Sequence, residues 1–271
     1  MKNILDAPFI TEMSRTAANM YRLGWHERNA GNISVLLDEK ELGEYLNLEN
    51  VVREIPLALS APALAGRIFL VTGTGKYFKN VEHDPARNLG IVRISKDGSS
   101  ACLLWGFTDG GKFTSEFSTH LLCHEARLSV NPAHRVITHC HPTYLIAMNY
   151  IHSLDEKESS RTLWRMCIEA ILIFPEGIGV LPWMLCGTNE IGIATAQKMK
   201  EFKIVQWAMH GVFGTGKDLD EAFGLIETAE KSAEVFIKTA GKPILNTLTD
   251  PQIKALADLW NVKVREEWLD L

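Results

Sequence analysis

The chain has 271 residues, of which 46% are apolar and 23% charged, with a formal net charge of −5. This is the composition of a soluble globular protein with length for a sizeable core, and its cations are scattered rather than gathered into the basic stripe of a nucleic-acid binder. Nothing approaches the ~18 uninterrupted apolar residues of a membrane helix, no run resembles a signal peptide, and five cysteines without CxxC spacing read as reduced thiols, so a cytoplasmic protein with neither membrane nor nucleic-acid partners is expected.

Phe9, Met13, Ala17, Met20 and Leu23 recur at helical spacing, which predicts an amphipathic helix over residues 7–24 that stops at Gly24. "NAGNISVLL" turns and enters a strand, and residues 38–65, charged first and proline-bearing later, read as an insertion or long loop. "RIFLVTG" (67–73) is a strand ending in the turn "TGTGK", and 89–95 and 101–106 flank "KDGS" as a hairpin. A helix runs from about Ser115 to Leu128, with Thr114 or Ser115 as its cap. "RVITHC" is a strand, and Pro142 after it suits the first turn of a helix.

"EAILIF" (169–174) and "GIGVLP" (177–182) read as strands, "TNEIGIATAQKMKEF" as a helix, and "IVQWAMHG" as a strand ending at His210. The long segment from Gly214 to Pro243 reads as a helix with Asp218 as cap candidate. Strands and helices mix without a strict βαβ rhythm. The expected fold class is α/β: one domain over residues 1–271, with a central, mostly antiparallel sheet covered by helices.

In "VITHCHPTYLIA" two histidines stand one residue apart on an apolar strand. Residues i and i+2 share a face, so Ile137, His139 and His141 point one way, with the two histidine Cα atoms about 7 Å apart. A single core histidine hydrogen-bonded to backbone needs no further explanation. Two on one face each need a buried partner, and one divalent cation satisfies both. Imidazole suits zinc, whose catalytic sites take three protein ligands and leave one position open. His210, before Gly211, is the third candidate, although taken alone it reads as a turn histidine. His120 and His124 have i, i+4 spacing, but "HEARL" lacks the second histidine of HExxH, so this pair reads as a structural helix face. His26, His83, His134 and His152 read as solvated.

Glu116 opens a helix, where a carboxylate is ordinarily favoured by the helix dipole; the alternative is a general base facing the cation. "NAGNIS", "TGTGK" and the Thr114–Ser115 helix start each offer backbone N–H groups to an anion. "TGTGK" is neither a Walker A loop nor GxGxxG. Three such spots beside a cation site favour a phosphorylated substrate.

Taken together and in order, "RNAGNIS", "VTGTGKYF", "LWG…TSE", "THCHPT" and "WAMHGVFGTG" resemble the class II aldolase/adducin superfamily. The resemblance covers most of the chain. It implies a largely antiparallel sheet with helices on both faces, assembled as a cyclic homotetramer, and zinc held by His139, His141 and His210. It places the catalytic carboxylate on Glu116 and the phosphate pocket on Asn29, Gly31, Asn32, Thr74, Gly75, Thr114 and Ser115; position 74 is often Ser in the family, and Thr keeps the hydroxyl. A second acid reaching a neighbour's active site falls on Glu169. The implied activity is zinc-dependent cleavage of a phosphorylated ketose through a metal-stabilised enediolate. The alternatives are an L-fuculose-phosphate aldolase or a pentulose-phosphate 4-epimerase of the superfamily, and a metal-free adducin-like binding module. The presence of all three histidines and Glu116 argues against the last.

Overall fold

The computed structural model of the protein describes residues 1–271. Nine strands, β1 (Asn32–Leu37), β2 (Arg53–Pro56), β3 (Ile68–Thr72), β4 (Leu89–Ile94), β5 (Ser100–Gly106), β6 (Val136–Cys140), β7 (Gly179–Leu181), β8 (Ile204–Trp207) and β9 (Gly211–Gly216), form one sheet of order β2-β5-β4-β3-β1-β6-β9-β8-β7. All pairs are antiparallel except β7–β8. The helices are α1 (Pro8–Arg22), α2 (Glu39–Leu42), α3 (Pro85–Asn88), α4 (Phe117–Val130), α5 (Thr143–Ile151), α6 (Glu156–Met166), α7 (Glu169–Ile173), α8 (Asn189–Lys198), α9 (Leu219–Thr239) and α10 (Asp250–Leu259). None is long and apolar enough to cross a membrane.

Side-chain alternation along the strands decides the layering. On β1, Ile33, Val35 and Leu37 enter a core shared with Phe9, Ile10 and Met13 of α1 and with Leu225, Ile226 and Ala229 of α9. Leu36, Phe69 and Val71 face the other way, onto Phe117 and Leu121 of α4. Further along that second face, Ile137, Val205, Trp207 and Phe213 meet Cys123 of α4 and Ile191 of α8. Each fully buried aliphatic or aromatic side chain contributes roughly 1.5–3 kcal/mol, so a one-residue slip of β1 or β6 would forfeit contacts on both faces. This is the expected α/β architecture, and it puts His139, on the same face as Ile137, under α4.

Three local readings are corrected. Residues 38–65 are not one loop: Arg53–Pro56 pairs with β5 as the edge strand β2. A four-residue strand ending in proline sits at an edge, where the missing N–H costs no ladder bond. "EAILIF" is not a strand but the helix α7. Ala170, Ile171 and Phe174 are buried while Leu172 is 40% exposed, a helical rather than an alternating pattern. Gly214–Gly216, read as the start of the long helix, belong instead to the strand β9, and the helix begins at Leu219; glycine is depleted in strands, but a Cβ on Gly216 would press on the backbone of α9 and one on Gly214 on Ile226. The expected cap of α9 is in place, with Asp218 accepting the Glu221 N–H.

Candidate active site

β6 carries His139 between two neighbours on the same face, Asn32 of β1 and Phe213 of β9. The His139 ring stacks on Phe213, centroids 4.5 Å apart. Its Nδ1–H donates to the Val212 carbonyl at 2.9 Å, which fixes the tautomer and leaves a lone pair on Nε2. His141 lies just past the strand, its backbone N–H held by the Trp25 carbonyl at 2.9 Å. Its Nδ1–H donates to Glu27 at 2.8 Å, and its Nε2 is buried with no partner in the protein.

His210 sits in the turn between β8 and β9. Met209 before it is left-handed, with φ 58°, a conformation that costs a non-glycine residue of order 1–3 kcal/mol and persists where the surroundings enforce it. The Asn149 Oδ1 accepts the Met209 N–H at 2.8 Å. Gly211 is glycine for a steric reason: a Cβ there would strike the Cys140 carbonyl and come within 2.8 Å of the His141 ring. One nitrogen from each of His139, His141 and His210 lies within 4.8 Å of the others. Burial, then the neighbouring imidazoles, hold His139 well below the ordinary histidine range; burial, then His141, brings His210 down to about 4. Both are neutral at pH 7, the form that ligates a cation. Two fixed tautomers, a bare buried nitrogen and three converging imidazoles fit a divalent cation.

Glu116 occupies the N-cap of α4, yet its side chain caps no helix N–H. Its Oε2 accepts the Asn32 Nδ2–H at 2.8 Å and lies 3.8 Å from His139 Nε2. Burial raises the affinity of this carboxylate for a proton above the ordinary range; the Asn32 hydrogen bond and the nearby His141 oppose that in part. A buried carboxylate beside the histidine cluster is chemically suited to proton transfer, and its side chain makes no cap hydrogen bond to α4.

The anion-friendly segments meet. Thr74 N–H donates to the Lys112 carbonyl and Thr114 N–H to the Thr72 carbonyl, each at 2.9 Å, so Thr74 and Gly75 lie beside Thr114 and Ser115. Gly31, with φ 73°, turns the first loop so tightly that a Cβ would meet the His26 ring and the His139 carbonyl. Asn29 in that loop is exposed, while Asn32 is buried. A polar pocket of about 560 Å³ opens beside Gly75, lined by Lys76, His83, Arg87 and Asp109 among others, and none of the three histidines lines it. Glu169 is exposed at the start of α7, where its carboxylate accepts the Cys167 thiol at 3.0 Å.

Several residues escaped sequence reasoning. Glu27, the partner of His141, carried no signal. His26 and His134 are buried rather than solvated: His26 stacks on Phe78 with centroids 3.7 Å apart, and His134 accepts the Arg127 Nε–H at 3.2 Å. His120 and His124 are fully buried against β1. The available signal was the four-residue spacing of Glu116, His120 and His124, which aligns them along one side of a helix.

Three histidines and a buried carboxylate over a mostly antiparallel α/β sheet are the parts of a metal-type lyase. The model of the class II aldolase and adducin N-terminal domain family matches residues 11–237, and the chain belongs to that family; it is an aldolase, a carbon–carbon lyase. It is 54% identical to a rhamnulose-1-phosphate aldolase of Listeria monocytogenes, over 99% of both chains. A rhamnulose-1-phosphate aldolase of Klebsiella pneumoniae is 43% identical, over 100% of this chain and 99% of its own. Among solved structures, a sugar-phosphate aldolase from Thermotoga maritima superposes with a TM-score of 0.73 at 29% identity, covering 88% of this chain and 98% of that one.

Proposed function

We propose that this aldolase cleaves L-rhamnulose 1-phosphate reversibly into dihydroxyacetone phosphate and L-lactaldehyde, in rhamnose catabolism, with zinc as its cation. The observation that carries the reading is the convergence of His139, His141 and His210 beside the Glu116 carboxylate. The substrate rests on the names of full-length relatives at 43–54% identity. The residues proposed to hold zinc are the three histidines; when bound, it supplies Lewis-acid stabilisation of the charge that develops beside the ketone, worth several kcal/mol.

The rest is done by the chain. As the C3–C4 bond breaks, the C4 hydroxyl proton passes to solvent and the electron pair of that bond stays on the three-carbon fragment. Glu116, protonated from solvent, then delivers a proton to C3; in the synthetic direction it removes that proton. A positioned acid–base group contributes roughly 10²–10⁴-fold. Asn29, Gly31, Asn32, Thr74, Gly75, Thr114 and Ser115 hold the phosphate, a group remote from the chemistry whose binding fixes orientation. Glu169, exposed and outside the histidine cluster, serves the aldehyde end of a neighbour's site in a homotetramer. The setting is the cytoplasm.

Product analysis tests the reading. L-rhamnulose 1-phosphate should yield dihydroxyacetone phosphate and L-lactaldehyde, and a chelator should stop the reaction until zinc is restored. Preferential cleavage of L-fuculose 1-phosphate, or epimerisation of a pentulose phosphate at C4, would move the assignment within the family. Activity indifferent to chelator would remove the cation.

A further inference from the structure

Behind the carboxylate runs a line of buried polar groups that the reaction as described does not use. Glu116, His120 and His124 stand four residues apart along α4, and Asn32 and Ser34 two apart along β1. Four helical residues advance about 6 Å, and two strand residues about 6.6–6.8 Å. The two rows therefore interleave. Asn32 lies between Glu116 and His120, and Ser34 between His120 and His124. The middle of the line is sealed: Ser34, His120 and His124 are 0% exposed.

The bonding order is determined from the carboxylate end. An ionised carboxylate only accepts, so Asn32 presents its Nδ2–H to Glu116 Oε2, at 2.8 Å. The amide oxygen of Asn32 then faces His120 Nε2, which must carry a hydrogen and donate. Burial brings His120 down to about 3 and holds His124 well below the ordinary histidine range, so each ring is neutral at pH 7, with one donor and one acceptor nitrogen. His120 Nδ1 is accordingly an acceptor and takes the Ser34 hydroxyl hydrogen at 2.7 Å. The Ser34 oxygen in turn accepts the His124 Nε2–H at 2.8 Å. Every donor in the line points toward Glu116. With nothing donating to its oxygen, the Asn32 amide would be free to turn over and set that oxygen against the carboxylate.

We propose that His124, Ser34 and His120 form a directional hydrogen-bond relay that holds the Asn32 amide on Glu116, which makes His120 a positioning residue for proton transfer. The inference rests on the reading of Glu116 as the proton-transfer group. It gives His120 and His124 a function that their helix spacing alone does not.

The test uses the zinc-loaded full chain and reads four quantities: kcat and KM for L-rhamnulose 1-phosphate, zinc per chain, and exchange of the C3 proton of dihydroxyacetone phosphate with deuterated water. His120→Phe keeps ring volume without a donor. It should lower kcat and exchange about 10–100-fold, the worth of a hydrogen bond to a charged group, while zinc content stays near wild type; KM rises too, because Asn32 also belongs to the proposed phosphate pocket. His120→Gln can donate to Asn32 and accept from Ser34, and should restore most of the loss. Ser34→Ala removes the donor to His120 Nδ1 together with the acceptor of the His124 Nε2–H, leaves the His120–Asn32 bond in place, and should cost roughly 3–10-fold, the worth of a neutral hydrogen bond. Exchange at the wild-type rate in His120→Phe would overturn the relay, as would a folded, zinc-loaded His120→Gln no better than His120→Phe. If His120→Phe does not fold, the Ser34→Ala rate decides, and a wild-type value overturns the proposal. Slow exchange in Glu116→Gln beside normal exchange in the His120 and Ser34 variants would remove the relay alone. Absence of exchange in the wild type would remove the reading of Glu116 and the relay with it.

Discussion

Two sets of histidines lie a few residues apart in this fold, and burial does not distinguish them: His139 is 1% exposed and His120 0%. What separates them is where their second nitrogen points. His139 and His141 each spend Nδ1 on a fixed acceptor, the Val212 carbonyl and the Glu27 carboxylate, and turn Nε2 toward His210 and the cleft. His120 spends both nitrogens inside the protein, on Asn32 and on Ser34. A count of hydrogen bonds separates His139 and His141 from His120 but not from His124, whose Nδ1 is also buried without a partner. What marks the first set is that its uncommitted nitrogens converge, within 4.8 Å of one another.

The comparison can be broken at several points. The largest expected effect is at Glu116, where the two sets meet. Glu116→Gln keeps shape and the hydrogen bond from Asn32 but loses the basic oxygen. It should slow C3 proton exchange of dihydroxyacetone phosphate by roughly 10² or more, with zinc and ligand binding intact by calorimetry. Exchange at the wild-type rate would leave the base unidentified.

A smaller effect is expected at Glu27. Partners of metal-ligating histidines are typically worth 10–100-fold in metal affinity, and Glu27 is largely solvent-exposed. Glu27→Ala should therefore weaken zinc binding by about tenfold, the low end of that range, in competition with a chelator. Unchanged affinity would mean that the Val212 carbonyl and the strand alone orient the pair.

The smallest effect is on stability and belongs to the fully enclosed histidines. In the folded chain burial depresses the proton affinity of His120 and His124, to about 3 for His120; in the unfolded chain both titrate near 6.5. Below that value the unfolded state binds protons that the folded state refuses, so stability falls as pH falls. Each such histidine costs about 1.4 kcal/mol per pH unit below roughly 6.5, until its folded value is reached. Urea midpoints of the chelator-treated protein should be flat above about pH 7 and decline toward pH 5.5. His120→Gln should flatten the decline by one histidine's share, and a slope unchanged by that substitution would mean that His120 is not held neutral.

Much of this was legible before the structure. The alternation of "RVITHC" placed His139 on a sheet face, and the step of two to His141 suggested a shared ion. The central strands β1, β3, β4, β5 and β6 are apolar enough to declare themselves. The misses have physical causes. β9 is half glycine because α9 lies directly on Gly214 and Gly216 and the end of β6 crowds Gly211, which erases the usual strand signal. α7 is a run of aliphatic residues too short for its helical period to show against an alternating one. The line from Glu116 to His124 was hidden because it alternates between two segments more than eighty residues apart. Its helix half was visible as a spacing of four, but only the packing of α4 on β1 gives that spacing its partners. Glu27 was unreadable because its partner is set by the turn into β1, which no local pattern specifies.

The central claim is that the three convergent imidazoles hold the catalytic cation. Zinc per chain and the rate of L-rhamnulose 1-phosphate cleavage, measured together on wild type, His139→Ala and His141→Ala, test it most directly. One zinc per wild-type chain is expected, with folded variants that lose the metal and fall to background turnover. Full zinc content with near wild-type turnover in either variant would contradict the account.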